Sequence, residues 1–315
     1  MITFFTIPKP FKGQIAIIQR NAIDSWLQLD PGCEIILYGD EEGIEEIAVE
    51  YGLVHVSDIK KNEFDTPFLD FVFNDAQERA KNKILCYANM DILFFKDFIH
   101  SIQNVKMDRF LIIGQRWDIE VSDPLCFSDE FCEKKLRILV ENEGNRFGPL
   151  AIDYFAFSKT TSLKLLPFLV GRKGWDNWMI YYARKMGIPV VDITQTTMVI
   201  HQNHDYNHVP LKKGEKWLGP ESDYNMNLTG DKIVQKSYLC SWKIDDSEYI
   251  LTSENLVLRQ KGIYDKIMKK ITISCPTNFH PIIGLFILAL VRPTVKIRNK
   301  IRKIVHRGKY QYATK

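Results

Sequence analysis

The residues best equipped for chemistry in this chain stand where predicted strands end. In an open parallel sheet, ligands bind in the crevice outside the carboxyl ends of the strands, so the residues just past each strand are the ones that meet them. Here they are polar almost throughout: Thr6, Gly39-Asp40, Asn89-Met90-Asp91, Gln115-Arg116 and His201. A lone aspartate after a strand is usually a helix cap. Asn89-Met90-Asp91 differs, because a second apolar run, Ile92-Leu93-Phe94-Phe95, follows it at once. His201, His204 and His208 place three of the chain's seven histidines within eight positions. Asp153 sits among the apolar residues of Leu150-Ala151-Ile152-Asp153-Tyr154-Phe155, where an acid has to be paired or functional because a buried lone carboxylate is costly.

Short apolar runs alternating with longer stretches of helical period must position these groups. That is the pattern of a mainly parallel sheet flanked by helices. Strands are predicted over residues 2–7, 34–38, 53–56, 84–88 and 110–114, with helices over 14–29, 41–51 and 67–82. In the first helix Ile15, Ile18, Ala22, Trp26 and Leu29 recur at three- and four-residue spacing, and Asp30-Pro31-Gly32 stops it. After residue 115 the alternation loosens. A polar stretch covers 118–129, followed by a helix at 130–143, a strand at 151–157, a helix at 175–186 and strands near 190 and over 198–201.

A strand, a short carboxylate motif and then more apolar chain resembles the D-x-D element of GT-A glycosyltransferases. The resemblance extends over roughly residues 1–208 and takes in the strand ends at Thr6 and Gly39-Asp40, the motif at 89–91, Gly174-Trp175-Asp176-Asn177-Trp178 and the histidine cluster. It implies an α/β fold, a Rossmann-type mainly parallel sheet flanked by helices, over residues 1–235. Residues 1–115 would bind the nucleotide and 116–235 the acceptor, with 236–315 a C-terminal extension. The implied reaction moves a sugar from a nucleotide-diphosphate donor to a saccharide or lipid-linked saccharide acceptor, as in polysaccharide biosynthesis.

The same resemblance implies a Mn²⁺ or Mg²⁺ ion that stabilises the leaving diphosphate. Asp91 matches the metal-binding carboxylate, and His201 and His204 are candidates to complete the shell, with His208 a poorer one. Asn89 departs from the pattern, since an amide hydrogen-bonds but adds no charge. Asp176 is expected to be the general base of an inverting transfer, and Asp153 is assigned to acceptor or donor-sugar contact. Thr6 and Asp40 resemble base- and ribose-contacting positions, Arg20 and Arg116 are expected at the phosphates, and Asp70 touches the donor or favours its helix N-terminus. Trp175 and Asn177 are expected at the acceptor.

Composition narrows the alternatives. With 45% hydrophobic and 26% charged residues, 315 residues are enough for one large α/β domain. The net charge of +3 hides an asymmetry: residues 292–315 hold nine Lys/Arg and no acid, so the body is mildly acidic. That argues against a nucleic-acid binder and for a local anionic partner such as a membrane surface, met by residues 282–309. The apolar run 282–291 is too short to span a bilayer. Six scattered cysteines with no C-x-x-C pair read as free thiols, and the N-terminus lacks a signal peptide's pattern, so a cytoplasmic protein, peripheral at the inner membrane face, is expected. The alternatives are a nucleotidyltransferase, for which Pro8-Lys9-Pro10-Phe11-Lys12-Gly13 is a poor phosphate loop, and a non-catalytic binding module.

Overall fold

A computed structural model describes residues 1–204, 219–229 and 242–262, together with Lys266, Lys270 and Ile273. His208 and the basic segment 282–309 lie outside the described residues. The chain divides into two compact units, Met1–Gln260 and Lys261–Lys315. The first therefore runs past the boundary expected at 235. No helix among the described residues is long and apolar enough to cross a membrane.

The elements of the first unit come largely where the periodicity puts them. They are β1 (Ile2–Thr6), α1 (Gly13–Leu27), β2 (Glu34–Tyr38), α2 (Ile44–Tyr51), β3 (Val54–Val56), α3 (Leu69–Arg79), β4 (Ile84–Ala88), β5 (Ile92–Leu93), α4 (Lys96–Asn104) and β6 (Leu111–Ile113). Then follow β7 (Trp117–Glu120), α5 (Cys132–Glu143), β8 (Asn145–Arg146), β9 (Tyr154–Ser158), α6 (Trp175–Lys185), β10 (Val190–Asp192), β11 (Ile200–Asn203), α7 (Pro220–Leu228), β12 (Tyr249–Leu251) and β13 (Leu256–Leu258). Nine strands form one sheet in the order β13-β12-β10-β6-β9-β4-β1-β2-β3. It is mainly parallel, as expected, with β9 antiparallel to both β4 and β6 and β13 antiparallel to β12.

Period-two alternation divides the core between the two faces of this sheet. Phe4 turns toward α1 and α4, stacking on Trp26 at 4.8 Å and meeting Phe98 at 6.2 Å. Its neighbour Phe5 turns the other way and meets Phe73 of α3 edge-on at 4.9 Å. On β9 the same split sends Tyr154 to Phe94 and Phe98, and Phe155 and Phe157 to Trp175 and Phe73. Helices thus cover both faces, and the central strands β1, β4, β6 and β9 are almost wholly buried between them, which is why they read as continuous apolar runs.

A second sheet, β5-β11-β7-β8, stands at the carboxyl edge of the first. β11 pairs antiparallel with β5 and parallel with β7, with His201 opposite both Ile92 and Asp118. This register carries the chain's later polar residues back to the Asn89-Met90-Asp91 turn.

Candidate functional site

The turn after β4 is fixed by backbone hydrogen bonds on each side. Asn89 N–H donates to the carbonyl of Asp153 at 3.0 Å, Ile92 N–H to that of Asn89 at 3.2 Å, and Gln202 N–H to that of Asp91 at 2.9 Å. The last of these ties Asp91 directly to β11. Along β11 the side chains alternate: His201 points to Asp91, while Gln202, fully buried, points to α1. There its amide takes a hydrogen bond from Asn21 at 2.9 Å and donates to the carbonyl of Ile18 at 3.0 Å.

Three side chains converge at this point. His204 Nε2 lies 3.2 Å and His201 Nε2 3.5 Å from Asp91 Oδ2, and one ligand atom from each of the three lies within 4.8 Å of the others. Asp91 Oδ1 is buried and has no hydrogen-bond partner among the described residues. One carboxylate with a spare oxygen and two imidazoles form a donor set that fits a divalent cation, Mn²⁺ in particular. Burial alone would raise the Asp91 carboxyl. Hydrogen bonds from His201 and His204 and the charge of Lys9 outweigh it and hold Asp91 well below the usual carboxylate range.

Lys9 is a member of this site that the sequence reading passed over. It follows β1 between two prolines, and Gln19 holds its backbone from both sides, accepting from Lys9 N–H at 2.7 Å and donating to the Lys9 carbonyl at 2.8 Å. Phe5 pairs with Tyr87 on adjacent strands, and Lys9 and Asp91 each lie four residues beyond these paired positions. Burial pushes the Lys9 amine below its ordinary range against the pull of Asp91.

Behind the cation set stands an ionic chain. Arg116, buried, donates from Nε to Asp118 Oδ1 at 2.8 Å and pairs through Nη1 with Asp153. Its guanidinium also lies 4.6 Å over the ring of Phe147. Asp118 reaches on to His201 Nδ1 at 3.2 Å, and Asn89 Nδ2 donates to Asp153 Oδ1 at 3.1 Å. Asp118, inside the expected polar stretch, is a second site residue the sequence reading passed over.

The structure places Asp176 elsewhere, in the first turn of α6. The helix starts at Gly174, whose φ of 100° is a left-handed conformation that glycine adopts without strain. Burial raises the Asp176 carboxyl to about 7 against hydrogen bonds from nearby backbone N–H groups, and the charge of Asp153 adds to the rise.

The remaining expected residues separate into groups. Among the described residues, the buried Thr6 hydroxyl at the end of β1 and one buried oxygen of Asp70 have no hydrogen-bond partner. Asp40 is exposed and pairs with Lys61 at 2.5 Å. Arg20, expected at phosphates, instead donates to Glu50 of α2 at 2.5 and 2.7 Å and lies over the Tyr51 ring. Arg116, expected in the same role, is spent on two internal carboxylates. Trp175 is buried between Tyr87 and Phe155, so its ring is core packing rather than an open sugar platform. Asn177 donates to the carbonyls of Leu150 at 3.0 Å and Trp242 at 2.7 Å, which fastens α6 to the loops around it.

No protein-family model and no curated protein matches the sequence. Among solved structures the chain is similar to glucosyl-3-phosphoglycerate synthase from Mycobacterium tuberculosis in complex with Mg²⁺ and uridine diphosphate. The identity is 14% over 72% of this chain and 76% of that one, with a TM-score of 0.42. The same enzyme with Mn²⁺, uridine-diphosphate-glucose and phosphoglyceric acid gives 15% identity, 72% and 77% coverage and a TM-score of 0.42. S. aureus TarS 1–349 in complex with UDP-GlcNAc gives 10% identity, 75% and 67% coverage and a TM-score of 0.46. Each of these structures holds a uridine nucleotide or nucleotide sugar, which is a property of those proteins.

Proposed function

We propose that this chain is a metal-assisted GT-A glycosyltransferase that moves a sugar from a nucleoside-diphosphate donor to a saccharide or lipid-linked saccharide acceptor, with inversion. The observation that supports this most is the convergence of Asp91, His201 and His204, beside Lys9, at the carboxyl edge of a mainly parallel sheet.

Asp91 Oδ1 and the two imidazoles are the groups that would hold Mn²⁺ or Mg²⁺. When bound, such an ion supplies positive charge to the diphosphate as its bond to the anomeric carbon breaks. Lys9 adds a fixed positive charge on the same side, and Thr6 and Asp40, at the ends of β1 and β2, are assigned to the nucleoside. Asp176 accepts the proton of the attacking acceptor hydroxyl. A carboxyl raised to about 7 is half ionised near neutral pH and strong enough a base once ionised.

Isothermal calorimetry with uridine- and guanosine-diphosphate sugars, with and without Mn²⁺, tests this reading. Mn²⁺-dependent binding of one donor, followed by release of its nucleoside diphosphate, is expected. A protein that binds no nucleotide sugar under either condition would sink it.

A further inference from the structure

β11 brings His201 to Asp91, yet its apolar residues do not choose which side chains face which way. Val199 and Ile200, neighbours that point to opposite faces, are both fully buried. Either one could face α1 without exposing apolar surface. Strand side chains alternate, so a slip of one residue would turn His201 toward α1 and Gln202 toward Asp91. Something other than hydrophobicity has to select the register.

A pair of buried carboxamides does so. Asn21, on α1, is 1% exposed and Gln202 is 0% exposed. Asn21 is fixed independently of β11, because its Oδ1 accepts from Leu125 N–H at 2.8 Å and its Nδ2 donates to the Asp123 carbonyl at 3.1 Å. The same Nδ2 donates to Gln202 Oε1 at 2.9 Å, and Gln202 Nε2 donates to the carbonyl of Ile18 at 3.0 Å. With Gln202 caught in this way, its N–H meets the Asp91 carbonyl at 2.9 Å, and His201 lies with Nδ1 3.2 Å from Asp118 and Nε2 3.5 Å from Asp91. A slip would strip both buried amides of these partners, which is costly for each, whereas exchanging both for apolar groups of the same shape is nearly neutral. The pair therefore adds less to stability than to the choice between registers.

We propose that the Asn21–Gln202 carboxamide pair sets the register of β11 and so aims His201 and His204 at Asp91. Both are positioning residues that act through the strand. The effect on a cation rests on the reading of the Asp91 cluster as a cation-bearing site; the register assignment does not.

A disulfide reports the register without any metal. Asn203 and Glu120 are partners across β11 and β7, and Asn203 Nδ2 donates to Glu120 Oε1 at 2.9 Å, so the two side chains share a face. Paired Cα atoms about 5 Å apart suit a disulfide, and a slip of one residue shifts them by about 3.3 Å and turns one side chain over. In the full chain carrying Glu120→Cys and Asn203→Cys, mild oxidation joins the two positions, as peptide mass mapping distinguishes from the native thiols. Adding Gln202→Met slows this closure by about tenfold or more. With residues 120 and 203 unaltered, Gln202→Met weakens Mn²⁺, followed by electron paramagnetic resonance of the free ion, by about tenfold or more. Thermal melting checks folding. Where Gln202→Met alone fails to fold, Asn21→Leu with Gln202→Met carries the test, since it leaves neither amide unpaired, and its closure is slowed to the same degree.

A folded variant that closes the disulfide as fast as before overturns the proposal. So does a disulfide that fails to form with Asn21 and Gln202 in place. Unchanged Mn²⁺ affinity in a variant whose closure is slowed overturns the link from register to the imidazoles. If closure responds as stated but the unaltered protein takes up no Mn²⁺, the register assignment stands and the functional reading fails.

Discussion

Two carboxylates, Asp91 after β4 and Asp176 at the start of α6, have opposite surroundings. Asp91 is buried against two imidazoles and a lysine, and its proton is driven off despite burial. Asp176, in the first turn of α6, is raised by burial to about 7, against hydrogen bonds from backbone N–H groups and with the charge of Asp153 adding to the rise. The difference teaches a division of labour: a group held permanently ionised suits a cation, whereas one poised near neutrality suits proton transfer. Environments that push two acids apart in this way are the pattern by which acid–base roles are assigned.

Exchanging the chemistry of one acid while leaving the other intact is the sharpest way to break this comparison. Asp176→Asn keeps the volume and the helix start but cannot take a proton. Transfer falls about 10³-fold while Mn²⁺-dependent donor binding stays within a factor of about three. Asp91→Ala does the reverse in kind, weakening Mn²⁺-dependent donor binding by about 100-fold, with the transfer rate at saturating donor less affected. Calorimetry and single-turnover transfer on the two variants separate the roles. Equal losses of binding in both would erase the division.

The raised carboxyl of Asp176 also sharpens the comparison through stability. Its folded-state value of about 7 lies above the ordinary 3.8, so the folded protein holds the proton more tightly than the unfolded chain does. Stability is therefore lost as pH rises from about 4 to about 7. A shift of that size corresponds to about 4 kcal/mol, which partial exposure of the carboxyl to water reduces to about 2. Asp176→Asn removes the cost, so the variant is more stable than the parent by about 2 kcal/mol at pH 8. The gain shrinks toward zero near pH 4. Chemical denaturation at the two pH values measures it, and a variant less stable at pH 8 would contradict the assignment.

How far the sequence discloses this site follows from the range of the interactions. Thr6, Asn89, Asp91 and His201 are legible because each is a polar residue ending a local apolar run, and α1 to α3 because their periodicity is local too. β7 is not: Trp117-Asp118-Ile119-Glu120 is short and half polar, and it becomes a strand by pairing with β11, more than eighty residues on. Arg116 looks like a phosphate donor until Asp118 and Asp153 are placed beside it. Trp175 presents the same apolar ring to a core or to a sugar, and only the positions of Tyr87 and Phe155 decide. Lys9 gave a usable signal, a cation just past the first strand between prolines, but its aim depends on the Gln19 clamp. The short strands β12 and β13, beyond the expected domain boundary, join the sheet through β10 and carry little periodicity of their own.

The smallest effect bears on the comparison most directly, because it watches one acid titrate in the working protein. A general base has to be ionised to act, so transfer rises with pH through about 7 and levels off above pH 8. At pH 6 the ionised fraction, and with it kcat/KM, is about tenfold below the plateau. Asp91 contributes no step to this profile, since its proton is already lost far below that range. The residual rate of Asp176→Asn is consequently flat between pH 6 and 8 and follows no ionisation near 7. A profile in that variant that still rises through 7 would assign the titration to another group, and with it the proton transfer.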